Sequence, residues 1–194
     1  MGAEVECSLL FADVRESTKL AETMRPAEYR RLMDRFYATA FDALVARDAF
    51  VDKFVGDEVI GIFLPAMTDG PHAREAVEAG VQLLRDTANL EAAHPIPIGI
   101  GINSGIAYVG AVGTEEHVEF TALGDIVNVA ARLSAVAGAG ELLVTDASMG
   151  AAGLSDDGLE HRRLELKGKS EMTDVAVLST DVALSPLPAV PAGT

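Results

Sequence analysis

Polar and apolar positions alternate through Glu4, Val5, Glu6, Cys7, Ser8 and Leu9 and then turn apolar, which predicts a strand over 4–13 ending at Asp13. The stretch Arg15-Glu16-Ser17-Thr18 reads as a loop whose N-cap opens a helix. From Pro26 onwards Tyr29, Leu32, Met33, Phe36, Ala40, Phe41 and Leu44 recur at helical spacing, so a long helix with this stripe in the core is expected. Residues 49–55 and 58–64 predict two strands joined at Gly56-Asp57, a hairpin by its turn chemistry. A second amphipathic helix is expected over 71–93. Two apolar strands, Ile96–Asn103 and Ile106–Val112, follow with a break at Ser104-Gly105. A short strand at 118–121, a helix at 124–137, a strand at 141–144 and a closing pair at 160–166 and 173–179 complete the pattern. One domain over 1–180 is expected, and the proline-bearing tail over 181–194 is expected to be disordered.

The order strand–helix–strand–strand–helix–strand defines an α+β sandwich, a βαββαβ core with helices packed on a mainly antiparallel sheet. In that topology the first crossover returns the second strand parallel to the first, so both end at one edge of the sheet. Asp13 ends the first strand and Asp57 sits in the turn that ends the second, so the two carboxylates are expected to meet. Taken singly, Asp13 reads as a turn cap and Asp57 as a hairpin aspartate. Their shared edge gives them a joint role.

Composition narrows the function. Hydrophobic residues make up 49% of the 194, enough for a sizeable core. Acidic residues number 30 against 15 basic, a formal net charge of -15, which repels nucleic-acid backbones and anionic membranes. No nucleic-acid partner and no membrane contact by this segment are therefore expected. A polyanionic substrate would need metal ions or a local cationic pocket. The single cysteine, Cys7, rules out a disulfide within the chain and fits a reducing cytoplasm, so a cytoplasmic location is expected. No apolar run reaches the ~18 residues of a membrane span.

Two carboxylates converging beside a loop and a helix start suit Mg²⁺ or Mn²⁺, hard cations that share oxygen ligands with substrate phosphates. Backbone N–H groups after Asp13, with Ser17 and Thr18, are placed to hold phosphate oxygens. On the helix at 124–137, Ile126, Val129, Ala130, Leu133 and Val136 form the apolar stripe. Asn128 and Arg132, at i and i+4, share a face off that stripe and point towards a ligand, a partner or solvent.

Four blocks now line up: Phe11-Ala12-Asp13-Val14, Lys53-Phe54-Val55-Gly56-Asp57, Thr121-Ala122-Leu123-Gly124-Asp125-Ile126-Val127-Asn128-Val129-Ala130-Ala131-Arg132-Leu133, and Leu166-Lys167-Gly168-Lys169. In this order they resemble the class III adenylyl/guanylyl cyclase catalytic domain. The resemblance implies a ferredoxin-like core of nucleotide cyclase type and conversion of ATP to 3′,5′-cyclic AMP and pyrophosphate with two Mg²⁺ or Mn²⁺ ions per active site. Asp13 and Asp57 match the metal-binding aspartates, with the Val14 carbonyl near one metal. Lys53 and Thr121 match the pair that reads the purine, and Asn128 and Arg132 match the residues that orient the ribose and stabilise the transition state. Lys167 matches a contact to the terminal phosphates, with Lys169 a near alternative. The resemblance also implies a head-to-tail homodimer whose sites are shared between chains; a longer parent chain has room for an upstream sensor domain.

Adenine presents an acceptor at N1 and a donor at N6, so Lys53, a donor only, and Thr121, an available acceptor, select ATP over GTP. The Lys–Thr pair also resembles a subclass that often responds to bicarbonate. Two positions depart from the family pattern. Glu16 stands where relatives often carry Gly, and His117 stands where many carry a phosphate-binding Arg. They set the alternative, a degenerate cyclase domain that binds nucleotide or a partner and regulates with little turnover. The related diguanylate cyclase would need a Gly-Gly-acidic-acidic-Phe hairpin, for which Gly56-Asp57-Glu58-Val59 is a poor substitute.

Overall fold

A computed structural model describes residues 2–90, 96–114 and 118–187. The elements run β1 (Gly2–Val14), α1 (Ser17–Thr23), α2 (Pro26–Val45), β2 (Phe50–Val55), β3 (Glu58–Phe63), α3 (His72–Asn89) and β4 (Ile98–Gly113). They continue with β5 (Val118–Leu123), α4 (Asp125–Val136), β6 (Glu141–Thr145), α5 (Asp146–Ala152), β7 (Glu160–Leu164) and β8 (Thr173–Leu178). The expected α+β architecture is present, as one sheet in the order β2-β3-β1-β4-β6-β8-β7 with β5 added to β4.

β1 is an interior strand between β3 and β4, and its alternation serves two cores. Leu10, Ala12 and Val14 pack under α2 and α3, whereas Cys7, Leu9 and Phe11 face Ile60, Ile62, Val109 and α4 on the opposite side. Both faces of the strand are buried, which explains why the polar–apolar alternation fades after Ser8. Because β3 pairs antiparallel with both β1 and β2, β2 runs parallel to β1. The end of β1 and the β2–β3 turn therefore share an edge, as the crossover argument required.

β4 corrects the expected break at Ser104-Gly105. It is one strand, paired with β1 from Ile98 to Gly110 without interruption. Its other edge pairs with β6 over Gly99–Ile102 and with β5 over Tyr108–Gly113. Local turn chemistry is overruled here by the long partner strand, and Ser104 spends its hydroxyl on Ser8 at 2.6 Å. The glycines in this strand admit α4. A Cβ on Gly101 would collide with the Ala130 carbonyl and the Ser134 amide, so the helix lies directly on the strand backbone.

Four further differences appear. Phe41 is 47% exposed and Val136 is 54% exposed, because the buried stripes of α2 and α4 are narrower than their apolar runs. The helix over 71–93 ends at Asn89, with residues 91–95 outside the described segments. The short helix α5 was not read from sequence. Residues 181–187, the described start of the expected tail, run against the domain. There Val182 and Leu184 pack on the core, and backbone bonds join Ser155 to Ser185 and Leu187 to Gly153.

Candidate active site

Asp13 and Asp57 meet at the sheet edge. Asp13 closes β1, and the amide of Val14 donates to the Asp57 carbonyl at 3.1 Å, which pins the β2–β3 turn to the strand end. Gly56 supports that turn with φ +62°, a left-handed value that suits glycine. The Tyr37 hydroxyl also donates to the Gly56 carbonyl. The Asp57 carboxyl is near enough for its charge to act on Asp13. Burial, then the charge and hydrogen bond of Asp57, outweigh the opposing Arg15 guanidinium, so the Asp13 carboxyl is pushed up to about 6. Glu58, paired with Asp13 across β1 and β3, is also raised, chiefly by burial and then by the two aspartates.

Crowded carboxylates raised in this way are what a divalent cation relieves, and the all-oxygen donor set fits Mg²⁺ or Mn²⁺. Among the described residues no group of three or more His, Cys, Asp or Glu forms a closed ligand set. A seat built from two aspartates leaves coordination positions for substrate oxygens and water.

Ser17 and Thr18 open α1 directly after this strand end, but neither caps it. The cap is Glu16, left-handed at φ 55° and without a side-chain capping bond. That backbone favours glycine, and Glu16 accepts it with its carboxylate turned to solvent against Lys19, 3.1 Å away. The carboxylate is therefore not aimed at Asp13. His117, the other departure from the expected pattern, lies outside the described residues.

Lys53 on β2 and Thr121 on β5 are brought together by side chains that bridge the two strands. Lys53 Nζ donates to Glu119 Oε2 at 2.6 Å, and Thr121 Oγ1 donates to Asp52 Oδ2 at 2.7 Å. The Glu119 hydrogen bond holds the Lys53 ammonium above its ordinary range, so it stays a donor. Phe50 and Phe120 brace the same pair of strands, ring centroids 5.0 Å apart.

Asn128 and Arg132 lie on the face of α4 turned away from Val129 and Leu133, as their spacing required. Asn128 is exposed. The Arg132 guanidinium sits by Gly168 in the β7–β8 connection, where a Cβ would approach it to 3.3 Å. In the same connection Lys169 Nζ pairs with Asp125 Oδ2 at 2.7 Å, whereas Lys167 is exposed. One chain thus holds three groups: the carboxylate seat, the Lys53–Thr121 pair, and the polar face of α4. Among the described residues no hydrogen bond joins Asp13 or Asp57 to Lys53, Thr121, Asn128 or Arg132.

Sequence reasoning passed over Arg15. Its guanidinium pairs with Asp13 and also donates to the carbonyls of Ala135, at 3.2 Å, and Ala137, at 3.4 Å, at the C-terminal end of α4. This side chain ties the carboxylate seat to the helix that carries Asn128 and Arg132. A basic residue two positions after Asp13 was the available signal. Asp52 was also passed over, although an acid within an apolar strand next to Lys53 marks it.

The sheet thus carries helices on both faces, paired aspartates at its edge and an Asn/Arg helix beside it. The family model for the adenylate and guanylate cyclase catalytic domain matches residues 2–179, and the chain belongs to that family. The chain is 31% identical over 177 residues to the terminal-differentiation-specific adenylate cyclase of Dictyostelium discoideum, covering 87% of this chain and 8% of that protein. It is 30% identical over 131 residues to the adenylate cyclase of Anabaena cylindrica, covering 65% of this chain and 26% of that one. The chain thus spans a small part of these relatives' lengths. Among solved structures, the adenylyl cyclase CyaB from P. aeruginosa superposes with a TM-score of 0.82 at 25% identity, covering 92% of this chain and 96% of that one. The guanylyl cyclase Cya2 shares the fold at a TM-score of 0.82 and 22% identity, covering 96% and 95% of the two chains. No helix among the described residues is long and apolar enough to cross a membrane.

Proposed function

We propose that this domain is an adenylyl cyclase, converting ATP to 3′,5′-cyclic AMP and pyrophosphate at sites shared by two copies of the chain. The observation that carries the reading is the meeting of Asp13 and Asp57, far apart in sequence and brought together at the sheet edge by the Val14–Asp57 backbone bond. These two side chains, with the Val14 carbonyl beside them, would hold two Mg²⁺ or Mn²⁺ ions. When bound, such ions acidify the ribose 3′-hydroxyl and neutralise the departing pyrophosphate.

The chain's own residues do the rest. Lys53 donates to adenine N1 and Thr121 accepts from N6, a pattern that guanine reverses. Asn128 orients the ribose, and Arg132 braces charge on the transferring phosphoryl group. Ser17 and Thr18, at the start of α1, and Lys167, exposed in the β7–β8 connection, hold triphosphate oxygens.

Sharing between chains is supported by the lack, among the described residues, of any hydrogen bond from Asp13 or Asp57 to Lys53, Thr121, Asn128 or Arg132. The β4–β5 hairpin carries Ile106, 67% exposed, with Val118, Phe120 and Leu123 also exposed, an apolar surface beside the purine pair that suits a second copy. Action in the cytoplasm and control by a sensor domain elsewhere in a longer chain fit this reading. The test is cyclic AMP formation by purified protein with Mn²⁺, against Asp57→Ala. No product above that control would replace catalysis with a nucleotide-binding, regulatory role.

A further inference from the structure

Asp52 lies at a β-bulge. Val51 pairs with Gly61 and Lys53 pairs with Ile60, so Asp52 is the extra residue on β2. In a regular strand, neighbours 52 and 53 would point to opposite faces. The bulge re-aims one of them. Both side chains now reach β5: Asp52 meets Thr121 and Lys53 meets Glu119, residues two apart that share one face. The Asp52 side chain is only 4% exposed, and its second oxygen lies 4.0 Å from Lys53 Nζ. A carboxylate enclosed this fully touches both residues of the purine-reading pair.

A carboxylate only accepts hydrogen bonds, so the Thr121 hydroxyl must donate its single proton to Asp52. The lone pairs left on Thr121 Oγ1 can then only accept. Lys53, with three donor protons, gives one to Glu119 and keeps others for a ligand. We propose that Asp52 is a specificity-determining positioning residue: by fixing Thr121 as an acceptor beside the donor Lys53, it makes the pocket complementary to adenine and adverse to guanine. Adenine offers an amine at position 6, which meets the Thr121 lone pair. Guanine offers a carbonyl there, and two acceptors face each other. Without Asp52 the Thr121 hydroxyl is free to rotate and donate to that carbonyl. The inference rests on the purine assignment made above for Lys53 and Thr121.

The experiment compares ATP with GTP, by kcat/KM with Mn²⁺ and by calorimetric binding, for the wild type, Asp52→Asn, Asp52→Ala, Thr121→Ala and the Asp52→Asn/Thr121→Ala double variant. Circular dichroism reports the fold of each. Asp52→Asn keeps the size but supplies both a donor and an acceptor, so it no longer dictates the hydroxyl's direction. The ATP-over-GTP ratio is expected to fall about tenfold or more in both Asp52 variants, the scale of one misdirected hydrogen bond. The double variant is expected to match Thr121→Ala, because Asp52 acts through that hydroxyl. An unchanged ratio in folded Asp52→Asn overturns the inference, as does a further fall when Asp52→Asn is added to Thr121→Ala. Loss of fold in both Asp52 variants makes the residue a structural one and overturns it too. If the wild type discriminates and the Asp52 variants still do, the cyclase reading stands and only this inference fails. A wild type that neither binds nor converts either nucleotide removes both.

Discussion

Asp57→Asn is expected to stabilise the metal-free protein while removing its response to divalent cations. The Asp13 carboxyl stands at about 6 against an ordinary 3.8. A difference of that size between folded and unfolded chains corresponds to about 3 kcal/mol. Burial is its first cause, Arg15 opposes it, and Asp57 adds through charge and a hydrogen bond. The share that Asp57→Asn relieves is therefore on the order of 1 kcal/mol. The sign follows from proton uptake. With its folded pKa raised, Asp13 keeps its proton in the native state while the unfolded chain has lost it. Native stability from this group is therefore full below about pH 4 and falls as pH rises towards about 6. Above that window the metal-free wild type carries the whole penalty, and the variant carries less of it. Thermal unfolding of chelator-treated protein should show Asp57→Asn higher by about 2–4 °C at neutral pH, with the gap closing near pH 4. Added Mn²⁺ should then raise the wild type, by binding the folded state only, and leave the variant where it was. A variant less stable than wild type at neutral pH without metal, or equal Mn²⁺ shifts in both, would refute the reasoning.

Arg132→Ala should lower kcat by about 10²–10³ while leaving the melting temperature unchanged. Mixing Arg132→Ala with Asp57→Ala chains should restore turnover, because one site in the mixed dimer is complete; activity flat across the mixing ratio would exclude shared sites. Gly101→Ala forces a Cβ against the Ala130 carbonyl and the Ser134 amide. Urea denaturation should show a loss of about 3 kcal/mol or more as α4 lifts from β4. For His72, hydrogen-bonded to buried Ser8 at 2.8 Å, burial holds the imidazole below its ordinary 6.5. An NMR titration should give a midpoint below 6.5, and because the unfolded chain takes up the proton first, its stability contribution is lost as pH falls below that value.

What was legible in the sequence depended on how local its cause was. The β1 strand and the helix stripe of Leu32, Met33 and Phe36 are set by short-range periodicity and came through. The meeting of Asp13 with Asp57 followed from a handedness rule that needs no side-chain detail. Ser104-Gly105 misled because turn chemistry was weighed without the partner strand, whose pairing of Ser8 with Ser104 and Cys7 with Gly105 holds the chain extended. The helix α5 was missed because Asp146–Ala152 is made of small residues with hardly any apolar stripe. Arg15 and Asp52 stood out locally by residue type, but their roles were not legible, for another reason. Their partners lie at Ala135 and Thr121, and no local pattern names a partner that far along the chain.

Those distant partners bear on how a chain of net charge -15 can take up a nucleotide triphosphate. The cations around the site are largely balanced already: Lys53 by Glu119, Lys169 by Asp125, and Arg15 by Asp13. Arg132 and Lys167 are in no ion pair among the described residues, and these are the two cationic positions assigned to phosphate chemistry. Two free cations are too few to offset both a triphosphate and the surrounding acidic field. On the proposed reading, uptake is expected to be coupled to divalent cations seated on Asp13 and Asp57, whose crowding those ions would relieve. Calorimetry with ATP is accordingly expected to show binding in Mg²⁺ or Mn²⁺ and almost none in chelator. Equal binding in both would mean that protein cations alone hold the phosphates and that the carboxylate pair serves some other end.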